Sequence, residues 1–431
     1  MSWNKWFALR SYVRSSYWIV PCLALVLEQV VLRGSLVIDA SSNGWVPIWP
    51  LGHAGTQMAL QTIITMVLSY IVFTFGSMLV AIQVASAQMT PRIIATTLLQ
   101  DGTIRSTVGL FVFTILFTIG TISRIETSVP NLSVWISAIA GIVSLVAFLY
   151  LIDYAARLLR PVSIIWNVAE QGFSVIDTVY PELEKEEPIK ETGQLAKARQ
   201  ELGAPDRVIY HTGTSAIILA VDLKTLLAEA QRVDCIVQLA ARVGDFVAIG
   251  QPLFFLHGKA GAINDRNLMG TIAFGRERTI EQDSTFAFRI IVDIAIKALS
   301  KAINDPTTAV TAIDQLQRLL RAVGARQLFN DNITDKDGTL RVIFPTPNWE
   351  DFVQLSCREI RLYGAENYQI ARRLRAMLES LERSLPMSRR PALRLEIDLL
   401  DRTIEKVYLL QEDMALARIP DTQGLGGASK I

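Results

Sequence analysis

Four stretches of the chain are nearly free of charge and rich in apolar side chains: residues 17–32, 58–84, 106–122 and 134–152. About 20 apolar residues cross the hydrocarbon core of a bilayer, so the pattern predicts four transmembrane helices. The second stretch is longer than the core requires and is expected to tilt or to project beyond the lipid. The first is short and carries Glu28. No small-residue cleavage site follows it and further spans do, which sets it apart from a signal peptide.

Polar residues inside the second span fall in a regular order. Thr62, Ser69, Gly76, Gln83 and Thr90 each stand seven residues apart. On an α-helix that spacing traces one slowly drifting stripe. Thr65 and Ser86 lie beside it, Gln88 is a further candidate for a wetted inner half, and Pro91 ends or bends the helix at its inner mouth. Two readings stay open. Small residues and hydroxyls let neighbouring helices approach and hydrogen-bond, and spans three and four carry the same device at Thr107, Thr114, Thr118 and Thr121 and at Ser133, Ser137, Gly141 and Ser144. Alternatively the row lines a water-filled path, with Pro91 as gate or hinge. Glu28 has the same duality: it reaches headgroup water beside Arg33, or it faces the bundle as a cation or proton site.

Charge supplies orientation and a boundary. Lys5, Arg10 and Arg14 precede the first span, Arg92 and Arg105 separate the second and third, and Arg157 and Arg160 follow the fourth. The other two loops hold Arg33 and Arg124, so the positive-inside rule places both termini in the cytoplasm. Trp3, Trp6, Tyr12, Tyr17 and Trp18 would form an inner aromatic belt, with Trp45 and Trp49 at the outer interface. Residues 1–160 contain nine Lys/Arg and five Asp/Glu; the remainder contains 33 and 36. A membrane domain is therefore followed by a charged, water-soluble region.

In that region, 181–206 reads as a solvated linker. From 207 to 275 the pattern changes to short strands, "VIY", "TSAIILAV", "CIVQLA", "FVAIGQPLFFL" and "GTIAF", with a helix over 222–231. The piece Gly244-Asp245-Phe246-Val247 followed by Gly250-Gln251-Pro252-Leu253 resembles a half-motif of biotinyl and lipoyl barrel domains. The resemblance implies a β fold; the prosthetic-group lysine is not recognisable, and no cofactor is expected. Beyond 276 helices dominate. Thr279 to Gln282 fits a capping box opening a helix through about 299, and Asp305-Pro306 is a natural N-cap and first turn. One strand is expected near 339–344, then helices from "TPNWEDF", over 367–385 and over 390–416. The tail 419–431 reads as disordered.

Candidate chemistry concentrates in 276–305, at Arg276, Arg278, Asp283, Arg289, Asp293, Lys297, Asn304 and Asp305, with Glu277 among them. An ion-pair network with helix caps, a polar pocket for an anion or small ligand, and catalysis are the three readings, in that order. Cys22, Cys235 and Cys357 form no CxxC pair and the three histidines have no ligand spacing, so no metal is expected. A net charge of +1 argues against nucleic acid as a partner. No P-loop, GxGxxG or Ser-His or Cys-His arrangement appears, and the chain leans away from being an enzyme.

The runs "FGSMLVAIQVASAQMTPRII", "GDFVAIGQPLFFL" and "GRERTIEQDSTFAFRIIVDIAIKALSKAINDPTTAVTAID" are together similar to a bacterial family of predicted membrane proteins, domain of unknown function 2254. The resemblance covers almost the whole chain. It implies a protein of the bacterial cytoplasmic (inner) membrane with a cytosolic C-terminal region, and transfers no site.

The expected architecture is an α-helical integral membrane domain of four helices (1–160), a helical, charged linker (161–206), a small β domain (207–275), a mainly helical cytosolic domain (276–418) and the tail. Its expected surroundings are the lipid bilayer, further copies in a homo-oligomer and a small ligand or ion. The expected function is a channel or transport protein with a cytosolic regulatory domain; the alternative is a membrane-anchored sensor or scaffold that binds a metabolite or partner.

Overall fold

The computed structural model describes residues 3–16, 18–41, 47–88, 101–125, 129–158, 160–184, 202–328 and 331–427. They form two compact units, one within residues 12–164 and one dominated by the chain from Ile165 onward.

Helix α1 (Trp3–Ser15) precedes α2 (Ile19–Ser41), α3 (His53–Gln88), α4 (Gly102–Ile122) and α5 (Asn131–Leu158). The last four are long and apolar enough to cross a membrane. The second of them is the longest, as the apolar run predicts. The first extends well past residue 32, so Arg33 lies in the helix and not in a loop. The extension has a tertiary cause: Asp39 accepts hydrogen bonds from the Leu132 and Ser133 amides at 2.9 and 3.3 Å, capping the start of α5. Asp101 caps α4 in the same way, taking the Thr103 and Ile104 amides.

Helices α2 and α4 run parallel and meet at glycines. A Cβ on Gly109 would stand 2.8 Å from Val20, and one on Gly120 would stand 2.5 Å from Leu32. Glu28, 3% exposed, faces this contact and accepts from Gln29 at 2.8 Å. It therefore points into the bundle. Helix α5 packs on both, and α3 joins through large side chains: Tyr70 stacks on Phe148 at 4.2 Å and Ile63 fills the space above Gly141. Trp49 meets Trp135 edge-on at the end expected to be outermost; Trp45 lies outside the described residues.

In the second unit the strand pattern is realised closely. β1 (Arg207–Tyr210), β2 (Ala216–Val221), α7 (Leu223–Val233), β3 (Cys235–Leu239), β4 (Phe246–Val247), β5 (Pro252–Gly258), α8 (Asp265–Met269) and β6 (Ile272–Gly275) follow in order. Helices α9 (Ser284–Ala298) and α10 (Pro306–Gly324), strands β7 (Asn332–Thr334) and β8 (Leu340–Ile343), and α11 (Trp349–Gly364), α12 (Tyr368–Ser384), α13 (Arg390–Val407) and α14 (Gln411–Ala417) complete it. One sheet has the order β1-β5-β3-β8-β7 and the other β4-β2-β6.

Three expectations need correcting here. Strand β8 pairs in parallel with β3, so residues assigned to the helical domain complete the sheet of the β domain, and position 275 divides nothing. Helix α6 (Pro161–Val179), placed in the linker, is core: Val168, Ala169 and Ile176 are fully buried, and Gly172 packs on Ala287 and Leu319. Residues 185–201 of that linker lie outside the described residues. Residues 419–427, assigned to a disordered tail, fold onto α12, because the buried Arg372 guanidinium donates to the Ile419, Gly426 and Gly427 carbonyls at 2.9, 3.0 and 2.6 Å.

Candidate functional site

Helix α3 is long and apolar enough to cross a membrane, and its packing decides which way its polar row looks. Thr62, Ser69, Gly76 and Gln83 are all exposed in the single chain, as is Thr65. A Cβ on Gly76 would meet nothing within 4 Å. The row thus faces away from the chain's own bundle, so contact within one copy does not account for it. Thr62, Thr65 and Ser69 each donate to the carbonyl four residues earlier, at 2.8, 3.0 and 2.8 Å. Those donors are satisfied inside the helix, and the oxygen lone pairs remain outward. Ser86 and Gln88 belong to the last turns of α3. Thr90 and Pro91 lie outside the described residues.

The other hydroxyl rows behave differently. Thr114, Thr118, Thr121, Ser133, Ser137 and Ser144 are fully buried. They meet across α2, α4 and α5: Thr114 with Ser144 at 3.0 Å, Ser137 with Thr121 at 3.4 Å, and Ser35 with Ser133 at 2.9 Å. Thr114, Thr118, Thr121 and Ser137 also donate to carbonyls of their own helices. This is a dry seam that holds helices together, the packing device expected of spans three and four.

In the second unit the sequence cluster separates into parts. Arg278 and Asp283 form an ion pair at 3.0 Å. Asp283 is the N-cap of α9, accepting from Phe286 at 3.1 Å, so the helix starts later than the expected capping box at Thr279. Gln282, cast as the box's closing residue, instead clasps the Val221 backbone, accepting from its N–H at 2.7 Å and donating to its carbonyl at 3.2 Å. Burial raises the Asp283 carboxyl above the usual 3.8, opposed by Arg278 and by the Thr285 and Phe286 donors. The pair borders a cavity of about 150 Å³ whose lining includes Tyr180, Arg242, Gln282, Phe344 and Thr346. Burial pushes the Tyr180 hydroxyl up to about 12, against a hydrogen bond with Ser284.

The rest of the cluster points elsewhere. Arg289 bridges Asp293 and Glu359, at 2.7 Å to the former and 3.0 Å to the latter, and its charge lowers the Glu359 carboxyl. Asp305 caps α10, accepting from the Thr308 amide at 3.1 Å, as its Pro306 neighbour suggests. Arg276, Glu277, Lys297 and Asn304 are exposed. Tyr180, Arg242 and Glu359 escaped the sequence reading, since each reaches its place from a distant segment with no local motif. Among the described residues, no group of three or more His, Cys, Asp or Glu is placed to hold a metal ion.

The profile of a family described as "Predicted membrane protein (DUF2254)" matches residues 14–380. The chain belongs to this family. The DUF2254 match takes in all four apolar helices, both sheets and the 276–305 cluster, and ends within α12. Two relatives are uncharacterized proteins, Mb1321c of Mycobacterium bovis and Rv1290c of Mycobacterium tuberculosis. Each is 24% identical over 96% of this chain and 81% of its own length. No solved structure matches.

Proposed function

We propose that this DUF2254 protein is one subunit of a homo-oligomeric channel or transport protein of the bacterial cytoplasmic membrane, with both termini cytoplasmic. In this reading α3 faces the path and the α/β unit regulates it. One observation carries the proposal: Thr62, Ser69, Gly76 and Gln83 stand outward on the longest span, while Thr114, Thr118, Thr121, Ser133, Ser137 and Ser144 of α4 and α5 are fully buried. A face destined for lipid alone has no use for this row of Thr and Ser oxygens, whose outward lone pairs no acyl chain can engage. Copies arranged around an axis would turn these rows toward one another, and the outward lone pairs would meet water or a permeating species. Purified protein in liposomes is expected to pass ions or small solutes, and Gln83→Leu is expected to reduce that flux severalfold. Silence under voltage, osmotic and ligand challenge, or normal conduction by Gln83→Leu, ends the reading.

The cavity beside Tyr180, Arg242 and Asp283 favours a second reading, a membrane-anchored sensor or scaffold. Thermal-shift screening of the full chain in detergent against metabolites tests it. A ligand whose stabilisation disappears in Arg242→Ala supports the sensor; none in a broad panel removes its main support.

A further inference from the structure

We infer that the C-terminal part of α3, the start of α4 and the end of α5 form a binding site for the carbonyl-bearing acyl chain of a membrane lipid. A cavity of about 250 Å³ lies between these helices, lined by carbon, with Phe73, Met78, Ile104, Ile152 and Ala155 among its walls. Thr74 also lines it, and this residue carries the argument. It is 7% exposed, and its Oγ1 has no hydrogen-bond partner among the described residues. Thr62, Thr65 and Ser69 all donate to their own helix, and Ser77 donates to the Thr74 carbonyl at 3.1 Å. Thr74 alone among these α3 hydroxyls lacks such a bond. A buried donor without an acceptor is unfavourable, and an oxygen on the occupant of the cavity would relieve it.

Depth identifies the occupant. Thr74 lies about 24 Å along α3 from Met58, where the apolar run begins, at about 1.5 Å per residue. In a hydrocarbon core about 30 Å thick, this puts it about 6 Å short of the far boundary, within reach of an ester carbonyl that dips below the headgroups. An acyl chain would fill the apolar walls and bring its carbonyl oxygen to the Thr74 hydroxyl. Arg157, ion-paired with Asp153 one turn earlier, and the exposed Arg160 just beyond the end of α5 lie near the boundary where a headgroup would sit. An acyl chain esterified in a phospholipid and a free fatty acid share this chemistry.

Full-length protein in nanodiscs is photolabelled with diazirine-bearing phosphatidylglycerol, phosphatidylcholine or free fatty acid, and the adducts are mapped by mass spectrometry. Adducts at Met78 are expected to exceed those at Val143 and Val146, exposed positions of α5, severalfold with at least one probe. Which probe gives the excess distinguishes the sources. Ala155→Trp, or the milder Ala155→Leu, should abolish the excess while labelling at Val146 reports that the variant is inserted. Thr74→Val should weaken it about fivefold, the worth of one neutral hydrogen bond. Labelling of Met78 no stronger than that of Val146, as when a second copy covers the cavity, overturns the site. So does an excess that survives Ala155→Trp. An excess untouched by Thr74→Val overturns the carbonyl contact. None of these results depends on flux through the protein.

Discussion

Gly244 lies so close against Asp283 that a side chain on the glycine would fall inside the Arg278–Asp283 ion pair. The backbone there has φ +91°, a conformation that L side chains rarely adopt. Steric crowding and backbone strain act in the same direction. Gly244→Ala is therefore expected to lower stability by about 2–3 kcal/mol, measured by chemical denaturation of the detergent-solubilised protein. A neutral result would mean that the turn and the ion pair move apart freely.

The two kinds of hydroxyl in the unit of apolar helices should respond differently to removal. Ser144 is fully buried and reaches Thr114 at 3.0 Å, whereas Ser69 is exposed and bonds within α3. Ser144→Ala is expected to cost about 0.5–1.5 kcal/mol, the range for interhelical hydrogen bonds in membranes. Ser69→Ala should stay within about 0.5 kcal/mol in the dispersed single chain. Steric-trap unfolding in bicelles measures both. A larger loss at Ser69 would place that residue in a packed contact after all.

Glycine contacts between α2 and α4 give a third expectation. The Cβ position of Gly109 falls on the branched side chain of Val20, which is stiff about χ1 and has little room to withdraw. Gly109→Leu should separate the helices at a cost of about 1–3 kcal/mol. Folding yield in lipid, compared with Gly34→Leu at a position with open space, is the measurement.

What the sequence disclosed and what it concealed follow from the range of each interaction. Asp305-Pro306 could be read as a cap because the whole motif occupies adjacent residues, and the structure has it as the start of α10. The four apolar helices were equally legible, since hydrophobic length is a local property. The end of α2 was not, because the partner that extends it, the start of α5, lies more than ninety residues away from Asp39. The pairing of β8 with β3 is another such case, and so is the partition of the 276–305 cluster: Arg289 takes Glu359 from α11, 70 residues on. The Thr62–Gln83 row was visible as a stripe, yet a stripe has no direction until Tyr70 and Ile63 fix which side of α3 packs inward.

The C-terminal segment tests the same lesson energetically. Its glycines and polar residues suggest disorder, but Asp421 accepts from the Gln423, Gly424 and Gly426 amides at 3.0, 3.0 and 2.7 Å, and Arg372 grips the neighbouring carbonyls. Arg372 is 0% exposed. Ending the chain after Arg418 would leave a buried guanidinium without those acceptors, at a cost of about 3–5 kcal/mol. Denaturation of the truncated protein should report a loss of that order, and Arg372→Met in the truncated chain should restore part of it. A tail that can be removed without effect would contradict the contacts.

The last expectation concerns acid. His257 on β5 is 8% exposed, and its Nε2 has no hydrogen-bond partner among the described residues. Burial lowers its pKa below the ordinary 6.5, with Asp206 acting weakly in the opposite direction. The unfolded imidazole takes up its proton at the ordinary value while the folded one resists, so protons favour the unfolded state once pH falls below about 6.5. The contribution of His257 to stability is therefore intact above that value and declines as pH falls toward the depressed folded pKa. Thermal melting of the solubilised protein across this range should show a fall in Tm on acidification, and His257→Gln, which does not titrate, should shallow it. Equal slopes in the two proteins would mean that the imidazole takes up its proton as readily in the folded chain as in the unfolded one, which a sealed, unpartnered nitrogen does not allow.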